Sequence, residues 1–257
     1  GVISSDALRI EVGQTLLKRL MEDEKCIASS DTMQSVLPSY TRFGMSALLP
    51  HRKLSMSREF NVLVDGKVCD NLNSREQVLQ SFVPNSRTVQ FDDIKTMKIA
   101  ELKEIFSGQE VVYVYHNQID ARGDKLNTEN EVFTACEEAV EEIHTMIKRL
   151  TSANNIRFII TADHGFIYKR DKLVESDKIS GFERENAFVG RRYVIAPEGI
   201  HAEGVGTVRL GNILGNEDDR IVSVPIGSDV FKVAGGGQNF VHGGSTLQEI
   251  VVPVLNV

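Results

Sequence analysis

The chain has 257 residues, 41% of them apolar and 25% charged, a balance that supports one hydrophobic core and excludes a disordered or fibrous polypeptide. A formal net charge of -7 argues against a general nucleic-acid-coating surface, although carboxylates that bind cations would hide part of that charge and leave a nucleic-acid substrate open. Cys26, Cys69 and Cys136 are odd in number and lack CxxC spacing, which predicts reduced thiols in a cytoplasmic protein, with no disulfide framework and no zinc finger.

The N-terminus carries no basic region ahead of an apolar stretch, and no run approaches about 18 apolar residues, so neither a signal peptide nor a membrane span is predicted. The chain opens without Met, already inside strand-like Val2-Ile3, and is therefore read as a single domain, residues 1–257, excised from a longer polypeptide. After that first strand a helix is expected from about Ala7 to Met21, with Leu8, Val12, Leu16 and Leu20 on one stripe. In the segment from about Leu54 to Val89, a candidate cap over the cleft, Phe60-Asn-Val-Leu-Val64 followed by Asp65-Gly66 suggests a hairpin. Val111-Val-Tyr-Val-Tyr115 and Phe158-Ile-Ile160 are the clearest central strands. Between them Thr128-Glu-Asn-Glu131 reads as a capping box opening a helix to about Leu150, with Val132, Cys136, Ala139, Ile143, Ile147 and Leu150 facing the sheet. Residues 171–216, rich in charge and glycine, are assigned to loops and a small peripheral β-rich excursion. Strand character returns at Ile221 to Pro225, Val230 to Val233 and Ile250 to Leu255. The alternation predicts an α/β fold, a mostly parallel central sheet with helices on both faces.

Chemistry-bearing residues follow the strands. Asp163-His164-Gly165 comes directly after Arg157-Phe-Ile-Ile-Thr-Ala162. Adjacent Asp and His reach one cleft only if the chain turns there, a freedom assigned to Gly165. Such a pair is also compatible with a helix N-cap and a solvated neighbour. Asp6 follows the first strand, Asp120 and Asp124 follow Tyr115, and His242 lies in a Gly-flanked loop before the last strand. In a parallel sheet these strand exits open on one edge, where ligands bind. Four carboxylates in one cleft repel each other unless cations neutralise them, and two divalent ions balance four Asp. Mixed oxygen and nitrogen ligands suit zinc or manganese, whereas an all-oxygen shell favours magnesium or calcium. The candidate nucleophile is Thr41 in Pro38-Ser-Tyr-Thr41-Arg42, ahead of a helix through Met45 and Leu48; an isolated Thr there also reads as an N-cap.

In order and type, Asp6, Thr41, Asp120 with Asp124, Asp163-His164 and His242 resemble the metal-ligand motifs of the alkaline phosphatase superfamily. The closer resemblance is to the PglZ domain of bacterial phage-defence (BREX) systems. It is carried by Ser5-Asp-Ala-Leu-Arg9, Pro38-Ser-Tyr-Thr-Arg42, Tyr115-His-Asn117, Thr161-Ala-Asp-His-Gly-Phe166, and His242-Gly-Gly-Ser245 with Glu249 and Pro253, which span nearly the whole chain. The resemblance implies an alkaline-phosphatase-like fold and two divalent metals, zinc first and manganese or magnesium next. One metal would be held by Asp6, Thr41, Asp163 and His164, the other by Asp120, Asp124 and His242. Asp120-x-x-Gly-Asp124 departs from the commoner superfamily pattern, which ends in His, and the extra carboxylate hardens that site. The implied activity is a metal-dependent phosphatase or phosphodiesterase in which Thr41 attacks phosphorus. Thr favours phosphorus over sulfur, because sulfatases of the superfamily use a modified Cys or Ser. Implied partners are a phosphate-ester substrate, nucleic acid among the candidates, and other phage-defence proteins.

Arg9 and Arg42 flank proposed ligands and are candidate phosphate clamps, or simply balance charge beside the acids. His116 is an alternative ligand to Asp124, while His51, His144 and His201 read as surface or helix-face histidines. Gly235-Gly-Gly237 lacks the Lys-Ser/Thr of a nucleotide P-loop and reads as a flexible connection to His242. Arg191-Arg192 is too short a basic run to define a nucleic-acid groove. Two other functions compete: a non-catalytic, metal-binding docking domain of a defence complex, and a phosphomutase, for which the region before Val111 offers little specificity cap.

Overall fold

The computed structural model describes residues 1–171, 173–233 and 239–257. Gly235-Gly-Gly237 lies outside the described residues. Six strands form the central sheet: β1 (Val2–Ser5), β2 (Ser29–Gln34), β3 (Ser86–Gln90), β4 (Val111–His116), β5 (Ile159–Thr161) and β6 (Val251–Asn256), in the order β2-β6-β5-β1-β4-β3. The pairings β5-β1, β1-β4 and β4-β3 are parallel, and only β6 runs against both of its neighbours. The expected mostly parallel sheet is therefore present. Because β1 lies between β4 and β5, with Ile3 opposite both Val114 and Ile160, the chain leaves these three strands side by side on one edge.

Strand alternation divides β1 between two faces. Ile3 and Ser5 point to the face covered by α1 (Ile10–Met21) and the long helix Val132–Ser152, where Leu16, Leu20, Ala139, Ile143 and Leu150 join one buried cluster with Val112, Val114 and Ile160. Ser4 points the other way and donates to Met45 Sδ at 3.3 Å, on α2 (Thr41–Ala47). α1 starts three residues later than expected, and Leu8 is buried ahead of it.

The predicted capping box at Thr128 does not form. Thr128 Oγ1 donates to the Arg122 carbonyl at 2.8 Å, Glu129 to Glu131 make a 3-10 turn, and the helix begins at Val132. A long-range partner holds the segment instead: Glu129 Oε2 accepts from Asn239 N at 3.0 Å.

Beyond the sheet, Leu54–Met56, Val62–Val64 and Lys67–Val68 form a three-stranded antiparallel unit. The Asp65-Gly66 turn has φ of 47° and 82°, the twist that a two-residue hairpin requires. It packs against α2 and contributes Leu54, Met56, Val62 and Val64 to a second buried cluster with Phe43 and Tyr40, so it supports the helix and does not cap the cleft. The excursion after Asp171 is more ordered than loops: Phe188–Val189, Val194–Ala196, Ile221–Pro225 and Val205–Arg209 form a four-stranded antiparallel sheet in that spatial order. Its Ile195, Val222 and Val224 complete the second cluster. Val230–Phe231 pairs with Lys178–Ile179, so of the three late strands only β6 enters the central sheet. Among the described residues no helix is long and apolar enough to cross a membrane.

Candidate metal centre

Three neighbouring strand exits deliver the carboxylates. Asp6 follows β1, with its backbone N-H donating to the His116 carbonyl at 2.8 Å at the end of β4. Asp163 follows β5 and accepts from Ala7 N at 3.3 Å. Asp120 sits in the first turn of a short helix, Gln118–Gly123, whose Asn117 cap accepts from Ala121 N at 3.2 Å. Asp6, Asp163 and His164 are almost fully buried, Asp120 and His242 half-buried.

The two imidazoles stack with centroids 4.1 Å apart and planes inclined by 6°. His164 Nδ1 lies 2.8 Å from the Gly165 carbonyl and His242 Nδ1 lies 3.3 Å from the Ser39 carbonyl. Since a carbonyl only accepts, both Nδ1 atoms carry a proton, and on the His164 ring, which burial holds neutral, Nε2 presents a lone pair. His164 Nε2 faces Asp6 Oδ1 and Asp163 Oδ2, each at 3.4 Å, while His242 Nε2 faces Asp120 Oδ1 at 3.7 Å. Those same three carboxylate oxygens are buried without any hydrogen-bond donor. Acceptors facing acceptors in a buried site call for a cation or protons.

Without a cation the site takes protons. Burial, then the Asp120 charge, pushes the Asp163 carboxyl up to about 7. Burial and then the Asp163 and Asp120 charges hold Asp6 well above the ordinary carboxylate range, and burial likewise raises Asp120. Burial, with the neighbouring His242, keeps His164 well below the usual imidazole value and so neutral. The donor set fits divalent metal: Asp6, Asp163 and His164 offer atoms within 4.8 Å of one another, as do Asp120, His164 and His242. These mixed oxygen and nitrogen groups match zinc or manganese better than calcium.

Thr41 is the first residue of α2, not its cap, which is Tyr40. Its hydroxyl donates to His164 Nε2 at 3.1 Å, and Thr41 lines a cavity of about 400 Å³ together with Arg42, Asp120, Asp124 and His242. α2 lies directly on the Asp163 loop: a Cβ on Gly44 would stand 2.5 Å from the Asp163 carbonyl oxygen. Ser35 Oγ donates to that same oxygen.

The geometry gathers Asp6, Thr41, Asp120, Asp163, His164 and His242. Asp124 is exposed and lines the cavity wall outside both tight clusters. Arg42 lines the cavity too, but Arg9 does not: its guanidinium binds Glu11 and lies over the Phe166 ring, 5.1 Å from the centroid. His116 is no alternative ligand, because Ser5 Oγ donates to its Nδ1 at 2.9 Å and its Nε2 donates to Glu142 at 3.0 Å. Gly165 is required for closeness, not for a turn: its φ is unexceptional, and a Cβ there would meet the Gln248 carbonyl oxygen at 2.1 Å.

Sequence reasoning missed the remaining wall. Phe188, Gly190, Arg191 and Tyr193 line the cavity from the peripheral sheet, with the Tyr193 and Tyr40 rings stacked at 4.9 Å. The sequence reads a short strand at Tyr193-Val-Ile195 within the β-rich excursion, and the structure has one at Val194–Ala196; only the aromatic and basic content of the stretch hinted that it reaches the site.

Solved structures share the architecture. Human ectonucleotide pyrophosphatase/phosphodiesterase 5 aligns with a TM-score of 0.65 at 11% identity, over 99% of this chain and 86% of that one. Phosphonoacetate hydrolase from Sinorhizobium meliloti 1021, in complex with phosphonoformate, aligns with a TM-score of 0.57 at 12% identity, over 99% and 88%. At these identities the likeness is one of fold. In sequence, the alkaline phosphatase-like protein PglZ of Bacillus cereus (strain H3081.97) is 40% identical over 99% of this chain and 30% of its own length. The alkaline phosphatase-like protein BrxZ of Escherichia coli O9:H4 (strain HS) is 33% identical over 100% and 30%. The chain thus spans about a third of the length of these curated relatives. The family model described as the BREX system PglZ alkaline phosphatase-like domain matches residues 1–257, and the chain belongs to that family.

Proposed function

We propose that the domain is a metal-dependent hydrolase of phosphate esters, a phosphatase or phosphodiesterase, with Thr41 as nucleophile. One observation carries this: Thr41 lines the cavity with its hydroxyl 3.1 Å from His164 Nε2, the atom that faces the donorless Asp6 and Asp163 oxygens at 3.4 Å. Asp6, Asp163, His164 and Thr41 would hold one divalent ion, and Asp120 and His242, with Asp124 in reach of the same wall, a second. Bound cations, zinc first and manganese or magnesium as alternatives, would neutralise the carboxylates and acidify the hydroxyl, as zinc brings bound water to a pKa of about 7.

Thr41 Oγ1 attacks phosphorus, the ester P-O bond breaks, the alcohol departs, and water then takes the phosphoryl group from the threonine. Arg42, next in the chain and on the cavity wall, pairs with the non-bridging oxygens in the bidentate way that guanidinium favours. Among fold neighbours, an inactive threonine-to-alanine variant of the mouse ectonucleotide enzyme was solved with AMP, which supports assigning the nucleophile to a threonine here. A nucleic-acid diester as substrate and other phage-defence proteins as partners belong to the same proposal.

The test is hydrolysis of mono- and bis-nitrophenyl phosphate with each metal, beside Thr41→Ala. The variant should lose about 10²- to 10³-fold or more, the scale of removing a group that acts on the transition state. Phosphothreonine at position 41 should be trapped from the parent by acid quench and mass spectrometry. Metal uptake without turnover, and a Thr41→Ala rate equal to the parent's, would replace this function by a docking role.

A further inference from the structure

A buried ion pair outside the ligand set ties the two imidazoles together. Arg192 and Glu249 are both fully buried. Arg192 Nε donates to Glu249 Oε1 at 2.9 Å and Nη2 to Oε2 at 2.8 Å, while Nη2 also donates to the Gly227 carbonyl at 2.8 Å and Nη1 to that of Asp229. Such a pair is costly to bury unless it is well hydrogen-bonded, and here four of the five guanidinium N-H groups are used. Glu249 Oε1 accepts in addition from Gly244 N at 2.9 Å, and Oε2 from Thr246 N and Thr246 Oγ1 at 3.3 and 2.7 Å. The Thr246 contacts form a capping box for the short helix Leu247–Ile250. A capping box explains neither Arg192 nor Gly244.

Glu249 also reaches the other imidazole. Its backbone carbonyl accepts from Gly165 N at 2.8 Å, directly after His164. Its side chain holds Gly244, two residues after His242. That loop is then zipped to the residues before Thr41: Ser39 N donates to the Gly243 carbonyl at 3.1 Å and Ser39 Oγ to the Gly244 carbonyl at 2.8 Å. Gly244 has no room for a side chain, since a Cβ would stand 2.8 Å from both Arg192 Nη2 and Glu249 Oε2. One residue thus grips the His164 loop by its main chain and the His242 loop by its carboxylate.

We propose that Arg192 and Glu249 are positioning residues that set the spacing of His242 from His164, and with it the second cation site. The cation part rests on the metal-dependent function proposed above; the spacing part does not. Loss of the carboxylate frees Gly244 and the His242 loop while Asp6, Asp163 and His164 keep their own supports, so the effect falls on one site only.

Two variants test this. Glu249→Gln removes the charge, and Thr246→Val removes a single hydroxyl donor while leaving the ion pair intact, so it keeps the fold if the first does not. Calorimetric titration with zinc should show the first equivalent bound as in the parent. The second should be weakened about 10- to 100-fold in Glu249→Gln, the usual cost of losing an outer support of a metal ligand, and less in Thr246→Val. In metal-free protein, NMR should find the ring-current shifts of the stacked His164 and His242 protons in the parent and their reduction in the variants. A merely stabilising pair would lower the melting temperature and move neither readout. Parent-like second affinity and ring shifts in Thr246→Val, and in Glu249→Gln where it folds, overturn the proposal, as does equal weakening of both equivalents. A parent that takes up no cation overturns the metal-dependent function instead, and the ring shifts then decide the spacing alone.

Discussion

At His164 the backbone decides the chemistry of the ring. The Gly165 carbonyl at 2.8 Å fixes the proton on Nδ1, and burial holds the ring neutral, so its lone pair is available in the ordinary pH range. The carboxyls opposite have the reverse problem. Asp163 is pushed up to about 7 by burial and then by the Asp120 charge, from an ordinary 3.8, and Asp6 moves the same way. A carboxyl whose pKa is higher in the folded than in the unfolded chain contributes stability in its protonated form. That contribution is complete below about pH 4 and is lost as pH rises through about 7. Metal-free protein is therefore expected to lose thermal stability between those values. A cation competes with these protons, so its affinity grows as pH rises toward 7 and levels off above it. Thermal melts with and without zinc should show a larger metal-induced shift at pH 8 than at pH 6. An equal shift at both would mean that Asp163 is not displaced from its proton by metal.

Among the elements, α2 is the most dependent on its surroundings. Seven residues are too few for a helix to persist alone, and Phe43 and Met45 are buried to hold it. Gly44 makes the closest approach, backbone on backbone at Asp163. Helix propensity alone favours Gly44→Ala by about 1 kcal/mol. Overpacking against a main-chain carbonyl costs about 1–3 kcal/mol, because no flexible side chain is there to yield, so the steric effect wins. Gly44→Ala should be net destabilising by denaturant unfolding and should lower turnover by moving Thr41 away from His164. A stabilised, fully active variant would show that α2 and the Asp163 loop are not in contact. The helix itself was legible: Thr41-Arg42 ahead of Phe43 and Met45 marks a helix start. Its contact with Asp163 was not, since nothing in a sequence tells which glycine faces a strand exit 119 residues away. The same gap explains Gly165, where a turn was the natural local reading and a neighbouring carbonyl is the real constraint.

On the scale of the whole molecule, parallel strands with separately placed Asp and His residues were enough to anticipate both the sheet and the convergence of Asp6, Asp120, Asp163, His164 and His242. The carboxylates and His164 follow strands of that sheet, and strand exits share an edge; His242 comes instead from a Gly-flanked loop before β6, after a two-stranded pairing outside the sheet. The wall of the cavity was illegible, because Phe188 belongs to one short strand and Arg191 and Tyr193 lie in the connection to the next, Val194–Ala196, whose pairing is long-range. That wall and α2 share one buried cluster, separate from the cluster under α1. Leu16 and Ile195 are both fully buried, one in each cluster, and truncating either to Ala should cost about 2–5 kcal/mol through lost burial and the cavity left behind. Their functional effects should differ. Ile195→Ala loosens the group that includes Tyr40, Phe43 and Tyr193, and so the seat of Thr41; Leu16→Ala acts on the far side of the sheet. Stability from denaturant unfolding, set against turnover per folded molecule at 25 °C, separates the two. Ile195→Ala should lose turnover at a temperature where it is still folded, and Leu16→Ala should keep it. Equal turnover per folded molecule would mean that the second cluster only stabilises the domain and leaves the position of Thr41 to the central sheet.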